Sequence, residues 1–189
     1  MKLDLISNKS KEILSNIDLN PNDEYYTPEY AIEPILKYLK HNSKIWCPFD
    51  KKESNFVKIL IDSGHIVTAT HIENGFDFFK SDITKAQKFD YIISNPPYSL
   101  KEKVFEKLFH IGRPFAMLVG VVGLFESRNR FLLFKNNDFE IMYFNKRISY
   151  FKSYSEPKPS LNPPFSSVYI CKGILPKQII FEELNKNNS

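Results

Sequence analysis

Cysteine is nearly absent from the 189 residues, which hold only Cys47 and Cys171. Two thiols cannot build a disulfide framework, and no Cys/His cluster has the spacing of a zinc site. Long apolar runs are missing too, and none approaches the roughly 18 residues of a membrane span. The opening stretch, MKLDLISNKSKEIL, has no continuous apolar core and does not read as a secretory signal. No internal repeat or low-complexity block occurs. These absences predict a cytoplasmic protein in a reducing setting, with no membrane partner and no metal.

What is present is ordinary for a globular domain: 42% hydrophobic and 25% charged residues. Disorder as the dominant state is excluded. The length fits one domain with a sizeable core. We expect a polar segment over residues 1–22 and a single domain over 23–189. The net charge of +4 permits a nucleic-acid partner without demanding one. Aromatic residues reach 15%. Most must be core, and those in polar, proline-rich surroundings need another explanation.

Residues 28–39 place Ala31, Ile32, Ile35, Leu36 and Leu39 at helical spacing, with Thr27 as N-cap and Pro28 at the first helical position. Short runs follow. Strands are predicted at 44–49, 65–70, 89–94, 114–122, 139–144 and 167–171. Helices are predicted at 54–62, ended by Gly64, at 101–111, ended by Gly112, and at 127–134. A weak helical pattern lies near 11–17. Alternation of strand and helix from 44 to about 140 argues for an α/β fold with a mostly parallel, doubly wound sheet. The last two strands have no helix between them and read as an antiparallel edge pair.

Asn95-Pro96-Pro97-Tyr98 follows the strand FDYIIS directly. In an open α/β sheet, ligands sit beyond the carboxyl ends of the strands. Two prolines fix φ and remove two backbone donors. A rigid loop remains, with the Asn95 side-chain oxygen and the Pro96 carbonyl as acceptors and Tyr98 as a stacking face. Such a loop suits a planar amine. The plain alternative is a turn, since N-P and P-P are common turn dipeptides.

The motif resembles that of S-adenosylmethionine-dependent amino methyltransferases, which include DNA adenine-N6, rRNA, tRNA and protein-glutamine methylases. More narrowly, DEYYTPEYAIEPIL, IWCPFD, DYIISNPPYSLKE, FAMLVGVVGLFES and PSLNPPFSSVYIC resemble short phage- and prophage-encoded adenine methylase-like proteins. The resemblance covers about residues 22–185. It implies a Rossmann-like class I methyltransferase fold. It also implies that Asn95 and Pro96 hold the target amino group and that Tyr98 stacks on the base.

On the cofactor side, the resemblance places Tyr26, Thr27 and Pro28 near the methionine carboxylate of S-adenosylmethionine. A helix N-terminus favours a carboxylate there. The family's DPFxGxG turn corresponds to Cys47, Pro48, Phe49 and Asp50, but Cys47 replaces the acid and both glycines are missing. Cofactor binding is therefore modified, weak or lost. Asp50 is the candidate partner of the α-amino group. Either His71 or Glu73 occupies the place of the acid that meets the ribose. Asp77 and Phe78 resemble the pair at the adenine ring.

On the substrate side, residues 146–158 carry Lys146, Arg147, Lys152 and Lys158 against Glu156, with Tyr150, Phe151 and Tyr154 between them. Basic groups neutralise phosphates and aromatics stack on unpaired bases. The family places an aromatic like Phe165 against an extruded base, sandwiched with Tyr98. The reading is adenine-N6 methylation, with DNA favoured over RNA. Selectivity would come from residues 1–24, the 146–163 loop or a partner subunit. Methylation of RNA or of protein glutamine, and a binding module that has lost the cofactor, remain the alternatives.

Overall fold

The computed structural model describes residues 25–186. The expected polar segment 1–22 and the pattern near 11–17 lie outside the described residues. The strands are β1 (Lys44–Cys47), β2 (Ile66–Ala69), β3 (Tyr91–Ser94), β4 (Phe115–Gly120), β5 (Glu140–Phe144), β6 (Ser167–Lys172) and β7 (Ile179–Glu182). They form one sheet in the order β2-β1-β3-β4-β6-β5-β7. Neighbours from β2 to β4 are parallel, β6 runs antiparallel to both β4 and β5, and β7 is parallel to β5.

Side chains alternate across the sheet and build a core on each face. Ile45, Cys47, Tyr91, Ile93, Ala116 and Leu118 meet helices α1 (Glu33–Leu36) and α2 (Asn55–Asp62) on one side. Trp46, Ile92, Phe115, Met117 and Val119 meet α3 (Lys101–Ile111) and α4 (Arg128–Lys135) on the other. Strands covered on both faces read as continuous apolar runs, which is why β3 and β4 were visible in the sequence. The helix ends follow local chemistry. Ser54 and Ser127 accept from the N–H groups of Val57 and Arg130, and Gly112 closes α3 at φ 72°.

Three expectations change. Residues 28–39 form a 3₁₀ turn, Glu29–Ala31, followed by the short α1, whose first turn holds Pro34. Pro34 has no N–H to continue a hydrogen-bonded helix from the preceding turn. The cap of that turn is Pro28, and the Thr27 side chain does not cap it. Between β2 and β3 there are only the 3₁₀ turns Ile72–Asn74 and Ile83–Lys88. The pair β5–β6 is antiparallel as expected but does not form the edge. β6 is buried along most of its length, so it needs a strand on each side, and β7 takes the edge. Glu182 of β7 receives the Lys37 ammonium at 2.6 Å and the Tyr38 hydroxyl, which ties the edge strand to the end of α1. Among the described residues, no helix is long and apolar enough to cross a membrane.

Phe105 is fully buried, with Phe109, Phe115 and Phe134 around it. Phe105→Ala should cost about 3–5 kcal/mol through lost burial and the cavity left behind. Urea unfolding would show this as a lower midpoint with an unchanged slope.

Candidate active site at the strand switch point

The chain leaves β1 toward β2 on one side and returns through β3 on the other. The carboxyl ends of β1 and β3 therefore lie side by side at the point where strand order reverses, the crevice where open α/β sheets bind ligands. The turn 47–50 leaves β1 there, and Asn95 leaves β3.

One buried carboxyl joins these ends. Asp50 is 6% exposed and accepts from the Ser54 hydroxyl at 2.8 Å and from the Ser94 hydroxyl. Ser94 in turn accepts from the Phe49 N–H at 3.2 Å. Burial raises the Asp50 carboxyl from 3.8 to about 6, against the two hydroxyls that favour its charge. Sequence reasoning missed Ser94. Its signal is a lone hydroxyl closing an apolar strand, which has to find a buried partner.

Asn95 is held by one end of its amide. Its Nδ2 donates to the Tyr25 carbonyl at 2.7 Å and to the Thr27 hydroxyl oxygen at 3.2 Å. The Tyr25 carbonyl can only accept, so it fixes which end is nitrogen, and Oδ1 is the end left over. Asn95 Oδ1 is buried and has no hydrogen-bond partner. Pro96 is buried beside it, and Pro97 leads into the 3₁₀ turn Tyr98–Leu100.

Tyr98 is 8% exposed, and its hydroxyl meets that of Tyr150 at 3.0 Å. Tyr150 donates onward to the Ser167 hydroxyl at 2.7 Å. Burial pushes the Tyr98 phenol well above its usual range and Tyr150 up to about 12, so both stay neutral. This corrects the reading of Tyr150: it is a fully buried prop for Tyr98, not a surface ring. Its basic neighbours in sequence concealed this. Phe165 meets Tyr98 in an edge-on contact, with centroids 5.8 Å apart. That spacing leaves no gap for a ring between the two, so a sandwich is not what the structure holds. Gly120, also missed, makes the contact possible. A Cβ there would lie 2.8 Å from one Phe165 ring carbon and 3.3 Å from a Tyr98 ring carbon.

The expected cofactor residues collect around the β1 and β2 ends but differ in role. Cys47 is fully buried in the core, where burial pushes its thiol up, so it faces no ligand. Pro48 is buried and Phe49 is half-buried. Phe49 stacks obliquely on Phe78 at 4.8 Å, and Phe78 is only 2% exposed. Phe49 therefore offers a ring surface where Phe78 was expected. Asp77 accepts from the Phe79 N–H at 2.8 Å and lies 3.5 Å from the Lys80 ammonium. His71 accepts from the Glu73 N–H and caps the Ile72–Asn74 turn. Glu73 pairs with Lys51 at 2.6 Å, joining the β2 end to the turn after β1.

The 146–158 segment divides in two. Lys146, Arg147 and Lys152 are exposed, as a charged rim requires. Lys158 is exposed as well, whereas Phe151 and Tyr154 fold back onto Tyr26. Phe151 and Tyr26 exchange backbone hydrogen bonds of 2.9 and 3.3 Å, and the Tyr154 ring meets Tyr26 edge-on at 4.8 Å. Burial and the Asp50 charge push the Tyr154 phenol up, while the backbone of Asn55 and Thr27 and the Ser54 hydroxyl oppose this. Tyr154 thus stands beside Asp50 and Thr27, where the methionine end was expected. Thr27 itself is buried and gives its carbonyl to Asn55 Nδ2 at 3.0 Å. Among the described residues, no group of three or more His, Cys, Asp or Glu could hold a metal ion.

No protein-family model matches the chain, and no curated protein does. Solved structures match by shape. A protein from Vibrio vulnificus YJ016, described as a modification subunit of a type I restriction enzyme, superposes with a TM-score of 0.51 at 10% identity. The match covers 96% of this chain and 51% of that one, so this chain spans about half its length. The chain has the Rossmann-like class I methyltransferase fold. A precorrin-6y C5,15-methyltransferase from Geobacter metallireducens GS-15 matches with a TM-score of 0.43 at 10% identity, over 79% of this chain and 92% of that one.

The Asp50 carboxyl titrates higher in the folded chain than in the unfolded one. The unfolded chain therefore binds fewer protons between the two values, and stability falls as pH rises through that window. Asp50→Asn removes the effect. The stability of the wild type relative to the Asp50→Asn variant should fall by about 2.4 kcal/mol between about pH 4 and about pH 7. Urea unfolding of both proteins across that range checks this, and a constant difference would place the carboxyl in contact with solvent.

Proposed function

We propose that the protein transfers a methyl group from S-adenosylmethionine to the exocyclic N6 of adenine in a nucleic acid, with DNA favoured over RNA. The observation that carries the reading is the buried, unpartnered Asn95 Oδ1 in the loop that leads to Tyr98. A buried acceptor without a donor costs about 1–3 kcal/mol. An incoming amine N–H relieves that cost. Asn95 would accept one N–H of the amine and turn its lone pair out of the ring plane. Bound S-adenosylmethionine supplies an electrophilic methyl on a sulfonium. The amide is too weak a base to keep the proton that the methylated amine releases, so the proton goes to solvent. The chain's contribution is position and a fixed dipole.

The ring and carboxylate set supports the adenosine end of such a cofactor. Phe49 and Asp77 would flank its base, and Glu73, exposed at the end of β2, would meet the ribose hydroxyls in exchange for Lys51. Asp50 has each oxygen on a hydroxyl, so it shapes the turn, and an α-amino group would meet it only through a remaining lone pair. The methionine end requires Tyr154 to give way. The exposed Lys146, Arg147 and Lys152 suit a phosphate backbone, which supports nucleic acid as the partner. The Vibrio protein is described as a subunit, and this chain spans about half of it. That supports a partner subunit for target recognition.

Two measurements test this. Calorimetry should show micromolar binding of S-adenosylmethionine, unchanged within about threefold in Asn95→Ala. Methyl transfer by that variant should fall at least about a hundredfold. Retained transfer would remove Asn95 from the chemistry, and absent cofactor binding by a folded protein would favour a binding module. Replacing Lys146, Arg147 and Lys152 together with Gln should flatten the salt dependence of DNA binding by about two to three log units per log unit of salt. An unchanged slope would assign the rim elsewhere.

A further inference from the structure

Tyr25 carries two roles that separate along the residue. Its carbonyl accepts from Asn95 Nδ2 at 2.7 Å. Its ring lies stacked on Tyr98, with centroids 4.9 Å apart and planes 24° from parallel. The same ring meets Phe165 edge-on at 6.0 Å and 81°, and tilts against Tyr150 at 5.2 Å. It sits at the seam of the molecule, packed against the cores of both sheet faces. A flat ring on the face of Tyr98 with Phe165 at its edge is also the geometry that aromatic quadrupoles favour for a bound base.

We propose that the Tyr25 ring stands in for the target base, occupying the face of Tyr98 until a planar heterocycle displaces it. This proposal rests on the nucleic-acid reading given above. The exchange makes Tyr25 a specificity-determining residue. Moving the ring away breaks one aromatic stack, and a nucleobase restores a stack in its place. A linear amide, such as a glutamine side chain, cannot restore it, so the exchange disfavours that substrate. The clamp on Asn95 is unaffected, because it uses the Tyr25 backbone and not the ring.

The test uses the full-length protein and a single-stranded oligonucleotide carrying one 2-aminopurine, whose fluorescence reports stacking. Tyr25→Ala should bind this probe about tenfold more tightly than wild type, the scale of one lost aromatic pair with its burial. Tyr25→Phe, which keeps the ring, should bind like wild type. Tyr25→Leu keeps apolar volume without the ring and should also bind more tightly, which covers the case of an alanine variant that does not fold. Weaker binding by Tyr25→Ala and Tyr25→Leu would make Tyr25 a wall of the site and overturn the proposal. Equal binding by all four proteins would overturn it as well, with the nucleic-acid reading intact. Binding by none of the four would remove the nucleic-acid reading and this proposal together.

Discussion

A single buried carboxyl, that of Asp50, sets the geometry at the top of the sheet. It draws in one hydroxyl from the start of α2 and one from the last residue of β3. The turn after β1 and the start of α2 are thereby fixed to the end of β3, 44 residues further on, immediately before the Asn-Pro-Pro-Tyr loop. A charge so deeply buried is costly, and the two hydroxyls offset that cost only in part, since the carboxyl is still raised to about 6. The arrangement also explains how the turn after β1 closes without glycine. The Phe49 N–H turns inward to Ser94 and Ser54 turns inward to cap α2, so the turn satisfies its own polar groups. A glycine-rich turn leaves such groups facing a ligand.

The aromatic residues divide the same region by function. Tyr150 and Ser167 hold the Tyr98 phenol from below, and the missing side chain of Gly120 lets Phe165 come against it from the side. Phe49 and Phe78 do the equivalent work under the β2 end. High aromatic content is thus neither core alone nor surface alone. It also packs the chain segments that follow the carboxyl ends of β1 and β3.

Much of this was legible in the sequence, and the reasons are local. α2, α3 and α4 announce themselves through Ser54, Ser127, Gly64 and Gly112, because capping and left-handed turns are short-range chemistry. The Asn95–Tyr98 loop could be placed because strand and motif are contiguous and the rule for strand ends is topological. The rest depended on partners far along the chain. Thr27 looks like an N-cap until Asn95, 68 residues away, takes its hydroxyl. Tyr150 looks like a surface ring until Tyr98 and Ser167 enclose it. Nothing in the short run IIFE of β7 states that it will pair with β5, since its outer residues Ile179 and Phe181 stay exposed. The charge of Asp50 reads as solvated beside Lys51 and Lys52, yet the backbone turns it inward.

The crevice is unequal in its two halves. On the β1 and β2 side the polar groups find partners within the chain: Asp50 with two serines, Glu73 with Lys51, Asp77 with the backbone of Phe79. On the β3 side one acceptor, Asn95 Oδ1, is left without a donor. The fold does not require that vacancy, because the amide is already anchored through Nδ2. The nitrogen end of this buried amide is held by the Tyr25 carbonyl, and its oxygen end can accept from a donor that arrives from outside. On the proposed reading, a cofactor would have to exchange with contacts that already exist, whereas a target amine would complete one that the chain leaves open.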